Sequence, residues 1–251
     1  MGGDSDADTN SDSYDHDAMF GPGSDIKRGP REFLITHVNS THNLVFNKFC
    51  LYRAQYMLLT ADSHQRQDAS LTIEDLAAAW KVMNGFETDH YSFYNCTSDS
   101  GNSREHKHMQ LFEKPLNGED EHGFVLFPDS EDTPRVPFKH FVEYFENSTH
   151  SSPSQERKEP STEELLVTYE RLLAKTRDAL GLPETTERVP HNMVLVKEWM
   201  MLIPRRKALV GDTTVNAAGM MGLVWATSDE AVEEWKTLGP AKVLAEVGVP
   251  A

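Results

Sequence analysis

His106, His108 and Gln110 occupy alternate positions in His106-Lys107-His108-Met109-Gln110. Side chains alternate between the two faces of an extended strand, so the two imidazoles and the amide would share one face, with Lys107, Met109 and Leu111 on the other. Three readings fit such a face. As zinc or copper ligands, His106 and His108 would need further partners, and neither a Cys nor a third His lies at a usual local spacing. As structural residues, they would line a half-buried strand. As catalytic groups, a neutral imidazole would attack a phosphoryl centre while a neighbour fixes its tautomer.

The elements around this strand can be read outward from it. Cys96 to Arg104 is a loop of Ser, Gly and Asn, a composition that suits exposed backbone N–H groups. Tyr91 to Asn95 reads as the strand before it, and Leu44 to Phe49 and Leu51 to Thr60 as two earlier strands. Between them, Leu76, Trp80 and Met83 recur at helical spacing behind Thr72 as N-cap, with Glu74 and Asp75 in the first turn. Phe124 to Phe127 and Phe138 to Phe145 are further strand candidates. Ser161 and Glu164 form a capping box, and Leu165, Leu166, Tyr169, Leu172, Leu173 and Leu180 mark one helix face up to Gly181 and Pro183. Met193 to Ile203 and Ala217 to Trp225 read as buried strands. Two short helices follow, one after Ser228 and one opened by Pro240 and ended by Gly248.

The 251 residues suffice for one large domain or two small ones. A formal net charge of -16 opposes binding to nucleic acid, which would need a basic stripe that the chain lacks, whereas a small anion needs only a pocket. Residues 1–31 carry seven Asp among Ser, Gly and Asn, and read as an acidic disordered tail without the apolar run of a secretory signal. The longest apolar stretch, Ala217 to Ala226, is far short of the ~20 residues of a membrane span. Cys50 and Cys96 are too few for a disulfide framework or a Cys-rich zinc site, and a reducing, cytoplasmic compartment is expected. The three Asn-x-Ser/Thr matches at Asn39, Asn95 and Asn147 then carry no glycosylation reading.

Asn95-Cys96-Thr97, Ser100-Gly101-Asn102-Ser103 and His106-Lys107-His108-Met109-Gln110 together resemble the signature of the ATP adenylyltransferase (diadenosine tetraphosphate phosphorylase) family of the histidine-triad superfamily. The usual pattern there is Asn-Ser-Gly, then Ser-Gly-Ala-Ser-Gln-x-His-Lys-His-x-Gln. Thr41 to Phe49, Leu71 to Leu76, Pro137 to Phe141, His191 to Met200, Pro204-Arg205, Asn216, Gly219 and Gly239-Pro240 extend the similarity over roughly residues 33 to 249. The resemblance implies that His108 takes up AMP, that His106 orients the strand, and that Gln110 binds a phosphate oxygen. It also implies phosphate contacts from Lys48, Asn95, Ser100, Gly101, Asn102, Ser103, Arg104, Lys197 and Arg205. This chain departs from the pattern at Cys96-Thr97, which replaces Ser-Gly, at Arg104 in place of Gln, and at His191 in place of Tyr. An acidic tail precedes the early strand where the family has a longer region.

The expected fold is α+β, with antiparallel sheets of histidine-triad type flanked by helices, as two pseudo-related halves. The expected division is a tail at 1–31, a catalytic region at 32–146, a linker at 147–160 and a C-terminal region at 161–251. The leading function is phosphorolysis of diadenosine tetraphosphate to ATP and ADP through AMP-histidine. The alternatives are a related transferase or hydrolase for another phosphorylated or adenylylated metabolite, and a non-catalytic nucleotide-binding protein. The implied partners are a nucleotide and phosphate, acting on a monomer that binds neither nucleic acid nor membrane. No resident cofactor or metal is expected, and Mg2+ would enter only with the nucleotide.

Overall fold

A computed structural model describes residues 20–26, 31–50, 54–114, 125–129, 135–145, 159–226 and 228–251. The fold is α+β. Its centre is a single antiparallel sheet of eight strands: β1 (Leu34–Val38), β2 (His42–Phe46), β3 (Gln55–Thr60), β4 (His90–Cys96), β5 (His108–Glu113), β6 (Phe141–Tyr144), β7 (His191–Leu195) and β8 (Trp199–Pro204). Their order across the sheet is β1-β2-β3-β5-β4-β7-β8-β6. The strand carrying the histidines therefore lies inside the sheet, paired with β3 on one side and β4 on the other.

Alternation along the strands sorts the residues between two cores. Leu58, Tyr94, Met109, Leu111, Met193 and Leu195 face one side, where α1 (Ile73–Gly85) and α2 (Thr162–Ala179) cover them. Phe93, Phe112, Val194 and Met201 face the other, against α3 (Ala217–Met220), α4 (Asp229–Leu238) and α5 (Pro240–Val247). Both long helices start with a capping box, Thr72 with Asp75 and Ser161 with Glu164, so their first free N–H groups are satisfied locally.

Several elements differ from the sequence reading. Strand β1 was not foreseen, and β3 starts only at Gln55. Met193 to Ile203 is not one strand but β7 and β8, joined by a tight turn in which the Val196 N–H donates to the Trp199 carbonyl at 3.0 Å. Ala217 to Trp225 contains a one-turn helix rather than a strand, because Asn216 caps it: its side-chain oxygen accepts from the Gly219 N–H at 3.1 Å. The region around Phe127 is a 3-10 turn, Phe127–Asp129, and Phe124 lies outside the described residues. Of Phe138 to Phe145, only Phe141–Tyr144 forms a strand. The regions 32–146 and 161–251 interleave in one sheet, since β7 and β8 stand between β4 and β6. The linker at 147–160 lies outside the described residues except for its last two positions.

Part of the expected tail is packed. Residues 1–19 lie outside the described residues, but 20–26 pack on the sheet, with Phe20 only 6% exposed against Val45 and Leu59. Burying one Phe is worth about 1.5–3 kcal/mol, which adds to the hydrogen bonds of Gly23, Ser24 and Asp25 in offsetting the entropy of ordering the segment.

Candidate active site

His108 begins β5 and is 5% exposed. Its Nδ1 lies 2.9 Å from the main-chain carbonyl oxygen of His106. A carbonyl only accepts, so Nδ1 carries the proton and the Nε2 lone pair is left for reaction. Burial pulls the His108 pKa below its ordinary value, although the bond to the His106 carbonyl and the nearby Asp25 charge act in the opposite sense. The ring is therefore neutral at physiological pH, as a nucleophile requires.

Three groups hold this imidazole in place. The Gln67 side chain clamps the backbone: its oxygen accepts from the His108 N–H at 2.7 Å, and its nitrogen donates to the carbonyls of His108 (3.0 Å) and Asn95 (3.1 Å). Gln67 thus ties the start of β5 to the end of β4. His106 is fully buried, and its Nε2–H donates to the Thr60 carbonyl at 2.9 Å while its Nδ1 accepts from the Ser24 hydroxyl at 2.8 Å. On the opposite face, Lys107 forms a buried ion pair with Asp75 at 2.6 Å, and Asp75 also bonds His42 Nε2 at 3.0 Å. Burial opposes the Asp75 charge, but His42 and Lys107 outweigh it and bring the pKa to about 2. This pair pins the first turn of α1 to the back of the histidine strand.

Gln110 is half-buried on the His108 face, and its oxygen accepts from the Gln55 side chain at 2.5 Å. Among the described residues the Gln110 amide nitrogen has no acceptor and can donate. Asn95 lies on β4 two residues beyond Phe93, the partner of Gln110, and its side-chain oxygen accepts from Asn192 (2.8 Å) and from the Ala217 N–H (2.9 Å). Asn102 is half-exposed, and Ser103 and Arg104 are exposed, on the loop entering β5. The Arg104 charge acts on both His108 and Asp25, which places its positive field at the site.

Other expected contacts are not brought together with His108. Arg205 is fully buried, and its guanidinium donates to Asn192 and to the carbonyls of Ser100, Lys207, Val215 and Val247. It is a brace for the loop and the C-terminal turn, and desolvation lowers its pKa to about 9. Ser100 is likewise fully buried beneath the loop. Gly101 has φ +79°, its N–H is bonded to Ser98, and a Cβ there would lie 2.4 Å from the Val215 carbonyl, so it serves loop packing. Lys48 and Lys197 lie at the far end of the sheet, each about five residues, or roughly 16 Å, along the strands from the level of His108. Lys197 is also paired with Asp89 at 2.8 Å, and the Lys48 ammonium sits 5.8 Å from the Phe49 ring centre. Among the described residues no group of three or more His, Cys, Asp or Glu could hold a metal ion, and no helix is long and apolar enough to cross a membrane. Burial pushes the Cys96 thiol up to about 12, which removes it as a competing nucleophile.

Sequence reasoning missed Gln67, Thr60, Gln55, Asn192, Ser24 and Asp25. All six act across the sheet or from separate loops, so no local spacing marks them.

The fold is an antiparallel α+β sheet with a buried, neutral imidazole on an inner strand, an arrangement suited to nucleophilic attack at phosphorus. Residues 29–125 match the Ap4A phosphorylase N-terminal domain and residues 134–250 the ATP adenylyltransferase C-terminal domain. Protein APA1 of Saccharomyces cerevisiae is 29% identical over 216 residues, a match spanning 76% of this chain and 63% of APA1. Diadenosine 5',5'''-P1,P4-tetraphosphate phosphorylase 2 of the same yeast is 26% identical over 259 residues, spanning 91% of this chain and 74% of that protein. The crystal structure of yeast Ap4A phosphorylase Apa2 in complex with AMP superposes with a TM-score of 0.66 at 25% identity, covering 88% of this chain and 79% of that one. The chain belongs to the Ap4A phosphorylase family.

Proposed function

We propose that the protein phosphorolyses diadenosine tetraphosphate, with His108 Nε2 as the nucleophile. The observation that carries this reading is the His108 ring: buried, neutral, and with its proton held on Nδ1 by the His106 carbonyl. The lone pair of Nε2 attacks the phosphorus next to one adenosine. An N–P bond forms, the bond from that phosphorus to its bridging oxygen breaks, and ATP leaves. An oxygen of inorganic phosphate then attacks the same phosphorus, the N–P bond breaks, and ADP forms with His108 restored. The positive charge that grows on the imidazole in the first step is met by the His106 carbonyl through the Nδ1–H.

The second step favours phosphate over water. Gln110 is a neutral amide, which can donate to a phosphate oxygen but cannot remove a proton from water. Phosphate is anionic and needs no such base. Arg104, Ser103 and Asn102 are the groups available to receive it at the loop, and hydrogen bonds to charged groups contribute about 1.5–3 kcal/mol each. The relatives named for diadenosine tetraphosphate phosphorolysis support the choice of substrate.

The test is the product profile after incubation with diadenosine tetraphosphate. With phosphate present, ATP and ADP should form in equal amounts; without it, AMP should be released slowly. AMP formed just as fast in phosphate-free buffer would make the protein a hydrolase and end the phosphorylase reading.

A further inference from the structure

Residues 20–26 are anchored at three points, one on β2 and β3 and two on the residues that lead into the histidine strand. Phe20 fills the apolar face between Val45 and Leu59. The Ser24 hydroxyl bonds His106 Nδ1 at 2.8 Å. The two Asp25 carboxylate oxygens accept from consecutive main-chain N–H groups, those of Glu105 (2.8 Å) and His106 (2.9 Å). The segment is locked in return by Ser63, whose hydroxyl accepts from the Gly23 N–H at 3.0 Å, and by Arg66, which donates to the Gly23 carbonyl at 3.2 Å. A Cβ on Gly23 would fall 2.7 Å from the Ser63 carbonyl, so the backbone approach is close.

The consequence lies in what His106 does. Its carbonyl fixes the His108 tautomer, so any movement of His106 is passed to the nucleophile within two residues. Thr60 holds one ring nitrogen of His106 from β3. The other ring nitrogen and the main-chain N–H are both held from residues 20–26. We propose that this segment completes the active site, with Ser24 and Asp25 as positioning residues that set His106 and, through its carbonyl, His108. The functional half of the proposal rests on His108 being the nucleophile.

Asp25 has an electrostatic role as well. Burial disfavours the protonated form of both imidazoles; the Asp25 charge opposes this at both rings and Asp62 does so at His106, while Arg66 at His106, and His106 and Arg104 at His108, act with burial. Removing Asp25 should therefore move the acidic limb of the kcat/KM profile to lower pH, which a loss of packing alone would not do.

The experiment compares Ser24→Ala, Ser24→Thr, Asp25→Ala and Asp25→Asn in the full chain. Turnover of diadenosine tetraphosphate with phosphate is read together with the ring 15N and Nδ1–H signals of the resting protein. Ser24→Ala and Asp25→Ala should lower kcat by roughly tenfold to a hundredfold. KM should change by less than about threefold, because the nucleotide contacts lie elsewhere. Ser24→Thr should recover most of the rate, and Asp25→Asn should shift the acidic limb downward while keeping one of the two amide bonds. The His106 Nδ1 signal should move in Ser24→Ala, and the His108 Nδ1–H should exchange faster in Asp25→Ala. Unchanged ring signals, or an unchanged kcat in a wild-type-active background, would overturn the proposal, as would a rate loss that merely follows the folded fraction. A wild type that does not turn over diadenosine tetraphosphate would instead remove the reading of function, and the ring signals would still decide whether the segment sets the two histidines.

Discussion

The Nδ1–H of His108 donates to the carbonyl of His106, two residues earlier on the same chain, at 2.9 Å. One backbone group thereby selects the tautomer and fixes the ring plane, and in the proposed reaction it would meet the charge developing as Nε2 attacks. The arrangement requires the 106–108 backbone to be held firmly, and the predictions concern the groups that hold it.

Gln67 is the first. It satisfies three buried main-chain groups on two strands, those of His108 N–H, His108 carbonyl and Asn95 carbonyl. Gln67→Ala should destabilise the fold by about 2–4 kcal/mol, because unpaired buried polar groups are costly. It should also lower kcat by roughly tenfold or more through misplacement of His108. Denaturant unfolding and steady-state kinetics on the same preparation would check both, and a wild-type kcat would show that Gln67 is not needed to place the ring.

Thr97 offers the opposite sign. It has φ +73° and ψ 163°, a region occupied almost solely by glycine, and its hydroxyl is buried without a hydrogen-bond partner among the described residues. Thr97→Gly should raise stability by about 1 kcal/mol, the released strain exceeding the extra chain entropy of glycine in the unfolded state. A higher Tm is the expected result; a lower one would mean that the threonine is not strained.

Acid sensitivity should trace to His191. It is fully buried between the Val189 carbonyl and the Tyr169 hydroxyl, and burial lowers its pKa to about 4. The unfolded chain takes up a proton near the ordinary value of 6.5 whereas the folded protein waits until about 4. The unfolded state therefore binds more protons in this window, and stability falls as pH drops from about 6.5 to about 4, by roughly 3 kcal/mol if the whole shift is realised. His191→Phe should flatten the dependence of Tm on pH across that window, whatever its effect on Tm at pH 7. An equally steep dependence in the variant would assign the sensitivity to other groups.

The local elements were legible where a single stretch of chain decides them. The N-cap at Thr72, the capping box at Ser161, the Pro240 helix start and the face shared by His108 and Gln110 all follow from spacing and residue type. The Ala217 turn was misread because its apolar run resembles a strand until Asn216 is recognised as a cap. Arg205 was misplaced for a related reason: a buried guanidinium surrounded by carbonyls and an exposed phosphate ligand look alike in sequence, and only the tertiary fold distinguishes them. The docking of residues 20–26 runs against composition, since one buried Phe and three side-chain hydrogen bonds to Glu105 and His106 lie in a stretch whose acidity reads as solvated tail.

The central claim is that His108 becomes covalently adenylylated. The direct measurement is to incubate the protein with diadenosine tetraphosphate in phosphate-free buffer, quench in alkali and map the modified residue by mass spectrometry. The account predicts one AMP on the imidazole of His108, stable to base, lost in acid and discharged as ADP when phosphate is added before the quench. Turnover without any adduct on the wild type, or an adduct on another residue with full activity retained in His108→Ala, would contradict it.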